Sequence, residues 1–249
     1  MIYVVGIGPG GADEITPRAY GAMKACDVIV GYTRYVELVR DVLPDKEFLA
    51  SGMRDELERC ISALKLSQEG KSVALISSGD AGVYGMAGLM LEIAAGSGQE
   101  VRVIPGITAA NSCAAVLGAP LMNDYLTISL SDLMTDWGTI ERRLIAACIG
   151  DFVMCIYNPA SHHRPGHFRR ACEVILRYRP PETPAGYVRN AGREGETHEV
   201  MTLREIMRRE IDMLCTVIIG NSQTCIIDGK IITPRGYNIA KFHQGGMTS

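Results

Sequence analysis

Apolar residues in the first half of the chain fall into short runs: IYVVGI (2–7), DVIVGY (27–32), EFLAS (47–51), SVALIS (72–77) and EVRVIP (100–105). Runs of this length, rich in β-branched residues, predict strands. Between them lie helix candidates: 17–25, following Thr16-Pro17, 53–68, where apolar positions recur at helical spacing, and 83–95. Strands alternating with helices imply an α/β fold with a mainly parallel sheet covered on both faces. A helix of small residues is expected over 106–119, stopped at Gly118-Ala119-Pro120. LMNDY then reads as a linker, with a domain boundary near 121–124. A second series follows: strand 125–131, helix 138–148, strand 151–158, helix 167–178, strand 184–190, helix 202–209 and strand 214–221. The tail carries a hairpin turning at Asp228-Gly229. The division is therefore an α/β domain over 1–122 and a second α/β domain, with a mixed sheet, over 123–249.

Composition narrows the function classes. Hydrophobic residues make up 47% and charged residues 21%, enough apolar side chain for a sizeable core. The net charge of −3 and the absence of a lysine-rich block argue against a nucleic-acid partner. Every apolar run is far shorter than the ~18 residues a membrane helix needs. No basic stretch leads into an apolar segment and cleavage site. The expectation is a cytoplasmic protein without a membrane partner. Eight cysteines sit mostly inside apolar segments with no C-x-x-C, which points to reduced, buried thiols.

The opening MIYVVGIGPGG spells G-x-G-x-x-G from Gly6 to Gly11. A dinucleotide site needs a helix starting at once after the glycines, so that free N–H groups and the positive dipole end meet the pyrophosphate. Here Thr16 is a good N-cap and Pro17 suits the first helical position, so the helix starts about five residues late. Asp13 and Glu14 put negative charge beside the loop. The acidic residue expected after the second strand is absent, since Asp27 precedes that strand. A ligand without a pyrophosphate fits better.

Other polar loops also follow strands. Ser77-Ser78-Gly79-Asp80-Ala81-Gly82-Val83-Tyr84-Gly85 follows SVALIS; Asp80 either accepts hydrogen bonds from a ligand or caps an ordinary turn. Pro105-Gly106-Ile107-Thr108-Ala109-Ala110-Asn111 either admits a flat group near the backbone or packs a helix tightly on the sheet. Tyr157-Asn158-Pro159, Arg189-Asn190-Ala191-Gly192 and Gly220-Asn221-Ser222 end strands of the second half. Open α/β sheets bind ligands at this edge.

Taken together, G-x-G-P-G, GD-x-x-x-YG, P-G-x-T-A, a Y-N-P turn and V-x-x-G-N resemble the tetrapyrrole methylase family, S-adenosylmethionine-dependent enzymes that methylate uroporphyrinogen and corrinoid precursors. SSGDAGVYGMAG (77–88), ISLSDLMTDW (128–137) and IYNPAS (156–161) carry a finer resemblance to its branch that methylates C17 of precorrin-3B or of cobalt-factor III in cobalamin biosynthesis. Two stretches depart from the pattern: Thr135-Asp136-Trp137, where the family usually reads T-P-W, and HHRPGH (162–167).

The resemblance implies the two-lobed class III methyltransferase fold, a homodimer, and S-adenosylmethionine held in a cleft that the second domain completes. Carried over by motif, Pro9, Ser78, Gly79, Asp80, Val83, Thr108, Ala109, Asn158, Ala191 and Gly220 would hold the cofactor, the last three with Asn158 among them coming from the second lobe. Gly8 and Gly10 would border the macrocycle. The C17 branch also implies ring contraction, which needs acid–base help on an oxygen. Asp80, Tyr84 and Asp132 are candidates, Asp132 equally a helix cap. Arg34, Arg189 and Arg193 are candidate partners for substrate carboxylates, because guanidinium binds carboxylate bidentately, or else surface arginines. His162, His163 and His167 read as metal ligands or as a solvated loop interrupted by Pro165-Gly166. The expectation is no protein-bound metal. Alternatives within the same resemblance are methylation at C11 or C20, or a non-catalytic tetrapyrrole carrier.

Overall fold

The computed structural model describes residues 1–52 and 55–237. They form two compact units. The first comprises Met1–Ser112 with Asn190–Glu196, and the second comprises Cys113–Arg189 with the chain from Thr197 onward.

The first unit contains β1 (Ile2–Gly6), α1 (Pro17–Ala25), β2 (Val28–Tyr32), α2 (Thr33–Arg40), β3 (Glu47–Ser51), α3 (Glu56–Gln68), β4 (Val73–Ser77), α4 (Ala87–Ala94) and β5 (Val101–Ile104). Its sheet runs β3-β2-β4-β1-β5, and every neighbouring pair is parallel. Successive strand residues point to opposite faces. Val4, Val30 and Leu75 therefore join Cys60 and Met90 from α3 and α4 in one core. Val5, Ile29 and Ile76 join Met23 and Val36 from α1 and α2 in the other. Burial on both faces is why these strands read as continuous apolar runs rather than as alternations.

Helix α1 starts where local chemistry places it: the Thr16 hydroxyl accepts from the Ala19 N–H at 3.1 Å, with Pro17 at the first position. Helix α2 was not expected. It follows β2 directly, with no intervening turn residue to announce it. The expected helix over 53–68 is found as α3; residues 53 and 54 lie outside the described ones. The expected helix over 83–95 begins only at Ala87, because residues 81–86 are a turn in which Tyr84 takes φ 54°.

Helix α5 (Ala109–Leu117) spans the division between the units. The linker expected near 121–124 thus follows the division, since Gly118–Ala119, as β6, already pairs with a strand of the second unit. That unit continues with β7 (Tyr125–Ser129), α6 (Trp137–Ile149), β8 (Val153–Tyr157), α7 (His167–Ile175), β9 (Pro184–Arg189), β10 (Thr197–Thr202), α8 (Leu203–Ile206), β11 (Cys215–Ile219), β12 (Cys225–Ile227) and β13 (Lys230–Ile232). Its main sheet, β10-β9-β11-β8-β7, is mixed: β7 and β8 are parallel and the other pairs antiparallel. Ile140, Leu144, Met154, Ile156, Phe168 and Val217 are among its core residues.

A buried cation sits inside this second unit. Arg179 is 6% exposed and has no carboxylate partner among the described residues; its guanidinium donates to the carbonyls of Gly220, Phe152 and Ala147. Burial pulls its pKa down from the usual arginine value, against the opposing fields of Cys148 and Asp151. Replacing it with methionine would strand three carbonyls. Arg179→Met is expected to cost about 3 kcal/mol in urea unfolding; an unchanged midpoint would show that water satisfies those carbonyls equally well.

Candidate functional site

Strands β4, β1 and β5 are neighbours, so the loops at their carboxyl ends converge. Ile7 N–H donates to the Ser77 carbonyl at 2.9 Å. Gly8 and Gly79 exchange both backbone hydrogen bonds, at 3.1 and 2.8 Å. These approaches leave no room for side chains. A Cβ on Gly6 would lie 2.6 Å from the Gly106 nitrogen and 2.7 Å from the Gly79 oxygen, and one on Gly106 would overlap the same oxygen. The glycines of VVGIGPGG thus let backbone pack on backbone. No helix opens onto the loop: a short 3-10 turn, Ala12–Glu14, comes first.

Gly79 is different. It takes φ +69°, and a Cβ there would meet only the Ala109 nitrogen at 3.8 Å and the Ile107 oxygen at 3.9 Å. A small open cradle therefore faces Gly79, walled by residues 107–109. Asp80 braces it: Oδ1 accepts from Gly82 N–H at 2.8 Å and Oδ2 from Gly106 N–H at 3.0 Å. The carboxylate thus ties the β4 and β5 loops together. Val83 is half-buried beside it, and Tyr84 is exposed at the turn. Glu14, which sequence reasoning treated only as unwanted charge, accepts from the Ser112 hydroxyl at 3.1 Å.

The segment 190–196 completes this loop set. Gly11 N–H donates to the Gly192 carbonyl at 2.8 Å. Arg193 donates from Nε to the Pro9 carbonyl at 2.6 Å and from Nη2 to the Ser78 hydroxyl at 2.8 Å. Ala191 is buried in this segment and so belongs to the first unit, not to the second lobe as expected. Arg34 is exposed in the first turn of α2. The first unit therefore brings together Gly8, Pro9, Gly10, Ser78, Gly79, Asp80, Val83, Thr108, Ala109, Ala191 and Arg193.

In the second unit, Asn158 follows β8 at φ 49° and donates from Nδ2 to the Ser129 hydroxyl at 3.0 Å. Gly220 is buried at the end of β11. Arg189 is committed to an ion pair with Asp212 at 2.7 Å. Asp132 is not the cap of α6; Asp136 is, accepting from Thr139 N–H at 2.9 Å. Asp132 instead meets His167 Nε2 at 3.0 Å and Arg164 Nε at 3.7 Å. His167 is half-buried at the start of α7, edge-on to Trp137, so it is not part of a solvated loop; His162 and His163 are exposed. Arg170 covers the Trp137 ring at 4.2 Å.

All eight cysteines are free thiols. Burial pushes those of Cys155 and Cys172 up to about 12, which keeps them protonated and unreactive.

A parallel sheet whose carboxyl edge is a glycine-lined cradle, joined to a mixed-sheet unit with strand-end loops, defines the class III methyltransferase fold. The chain belongs to the tetrapyrrole (corrin/porphyrin) methylases, whose family model matches residues 1–207. It is 47% identical to the "Probable cobalt-factor III C(17)-methyltransferase" of Salmonella typhimurium, over 96% of this chain and 100% of that protein. It is also 47% identical to the "Cobalt-factor III methyltransferase" of Priestia megaterium, covering 95% of this chain but 45% of that longer protein. The crystal structure of the methyltransferase CobJ superimposes with a TM-score of 0.87 at 35% identity, over 94% of this chain and 99% of that one.

Two predictions follow from the geometry. Gly106→Ala, overlapping backbone, is expected to destabilise by about 2 kcal/mol or more in thermal unfolding, while Gly88→Ala, with nothing within 4 Å, is neutral or stabilising. Equal effects would refute the close-packing account. The second concerns Asp132. Its own burial would raise its pKa, but the hydrogen bond and charge of His167, with Arg164 behind, outweigh that and hold it below the ordinary value. A carboxyl lowered on folding contributes stability above its unfolded pKa and loses it as pH falls through the folded one. Asp132→Asn should therefore destabilise near neutral pH, and its gap from wild type should close in acid. A gap independent of pH would remove the charge from the explanation.

Proposed function

We propose that this protein is an S-adenosylmethionine-dependent methyltransferase that methylates C17 of the cobalt-factor III or precorrin-3B macrocycle, coupled to ring contraction, in cobalamin biosynthesis. The observation that carries the reading is the full-length likeness to the Salmonella protein, on a chain whose Gly79 cradle is open where a cofactor would lie. A pyrophosphate is disfavoured by the 3-10 turn that separates the glycines from α1.

The loop set fits the cofactor. Ser78, Gly79, Asp80, Val83, Thr108 and Ala109 would hold it in the first unit, with Pro9 and Ala191 beside them. Asn158 and Gly220 would contribute from the second unit. When bound, S-adenosylmethionine supplies an electrophilic sulfonium methyl whose leaving group departs neutral and needs no protonation. The chain's part is chiefly to bind and align; proximity and orientation supply up to ~7–11 kcal/mol in favourable cases. Asp80 serves this by fixing two loops, since both its oxygens already accept backbone N–H groups. Gly8 and Gly10 would border the macrocycle, and Arg34 is the exposed guanidinium available to its carboxylates. Tyr84 and Asp132, the latter with His167 on its carboxylate, are the remaining proton-transfer candidates for ring contraction. Cobalt, where present, belongs to the substrate. A cytoplasmic homodimer completes the reading.

Calorimetric titration with S-adenosylhomocysteine, with a nicotinamide dinucleotide in parallel, tests the cofactor; binding of the first alone is expected. Incubating the enzyme with S-adenosylmethionine and cobalt-factor III should add one methyl by mass, placed at C17 by carbon NMR. Methylation elsewhere on the ring would reassign the branch. Asp80→Asn presents an NH2 group to one of two N–H donors and is expected to weaken S-adenosylhomocysteine binding about tenfold. An unchanged affinity would remove Asp80 from the site.

A further inference from the structure

Arg193 is half-buried, and among the described residues it makes no ion pair that would account for its position. Burial pulls its guanidinium down from the usual arginine value, against the fields of Tyr35 and Glu14. Its segment is internally braced: Arg193 N–H donates to the Asn190 carbonyl at 2.9 Å, Glu196 N–H to the Arg193 carbonyl at 3.1 Å, and Gly192 N–H to the Glu196 carboxylate at 2.7 Å. The side chain leaves this turn in a fixed direction and meets two loops at once. Nε takes the Pro9 carbonyl of the β1 loop, and Nη2 takes the Ser78 hydroxyl of the β4 loop.

These two nitrogens form the side-on edge with which a guanidinium would grip a carboxylate. That edge is already filled by the protein's own acceptors. A side-on grip on a carboxylate, open from sequence, would require breaking both bonds. The Ile7–Ser77 bond and the Gly8–Gly79 backbone pair join the same two loops where they leave the sheet. The arginine ties them again from a third segment, through the residues immediately flanking that pair. The tie extends the backbone register to the Ser78 side chain and to Pro9, beyond the last backbone bond between the two loops.

We propose that Arg193 is a positioning residue for the cofactor: its fork locks the Pro9 and Ser78 loops in register, so that the Gly79 cradle is preformed before S-adenosylmethionine binds. This inference rests on the cofactor reading above. Lysine cannot reproduce it, because a single ammonium lacks the planar fork that spans both acceptors.

The test is S-adenosylhomocysteine titration of wild type, R193A, R193K, S78A and R193A/S78A, with thermal melts and steady-state kinetics on the macrocycle. Tenfold or greater weakening is expected for R193A and an intermediate loss for R193K. The double variant should lose less than the two single losses combined, because both remove the same bond. KM for S-adenosylmethionine should rise while KM for the macrocycle holds. If R193A does not fold, R193K and S78A carry the same comparison. Unchanged S-adenosylhomocysteine affinity with a lowered melting temperature would reduce Arg193 to a stabilising residue and overturn the proposal. A raised KM for the macrocycle alone would also overturn it and restore the carboxylate role. Failure of wild type to bind S-adenosylhomocysteine would remove the cofactor reading itself, and the clamp's purpose with it.

Discussion

The structure of the first unit turns on backbone packed against backbone where β4, β1 and β5 end. Gly6 and Gly106 pack against each other and against the Gly79 carbonyl at separations that no Cβ tolerates. Side chains are thereby excluded from the floor of the site. Whatever lies there is recognised by amide groups and shape, and the polar side chains must come in from the flanks. Asp80, Ser78 and Arg193 do so, and each is bonded to a loop: Asp80 accepts from Gly82 and Gly106, and Arg193 spans Pro9 and Ser78. Such a site suits chemistry limited by alignment more than by proton transfer.

The second unit solves the same problem with charge. The loop after β11 is held by a buried guanidinium on the Gly220 carbonyl, and by Asp151, whose carboxylate accepts from Ser222 N–H at 3.0 Å and from its hydroxyl at 2.6 Å. A buried cation among carbonyls is costly to assemble and costly to interrupt. Local stiffness is therefore obtained by different means at the strand ends of the two units.

What could be read in advance was what depends on neighbours in sequence. The two-faced strands announced themselves as apolar runs, and Thr16-Pro17 marked the late start of α1, which set the glycine loop apart from a pyrophosphate site. The order of the polar loops was enough to place the chain in its family. Strand β10 escaped notice because five of its six residues are exposed or half-exposed and four are polar, after a charged turn. Partnerships made across long stretches left no local trace: Asp132 with His167 is 35 residues apart, Arg179 with Gly220 is 41, and Arg193 with Pro9 is 184. The last of these turned a suspected carboxylate ligand into a tie between loops, and moved Ala191 into the first unit.

The seven-residue stretch 190–196 also sets a schedule. Ribosomes deliver chain from the N-terminus at roughly 5–20 residues per second. The parallel sheet is fully synthesised once Ile104 emerges, yet Gly11 waits for Gly192, and Pro9 and Ser78 wait for Arg193. The nascent polypeptide therefore carries a complete core and an unfinished ligand loop for several seconds, and acquires a closed cradle only after most of the protein has been made.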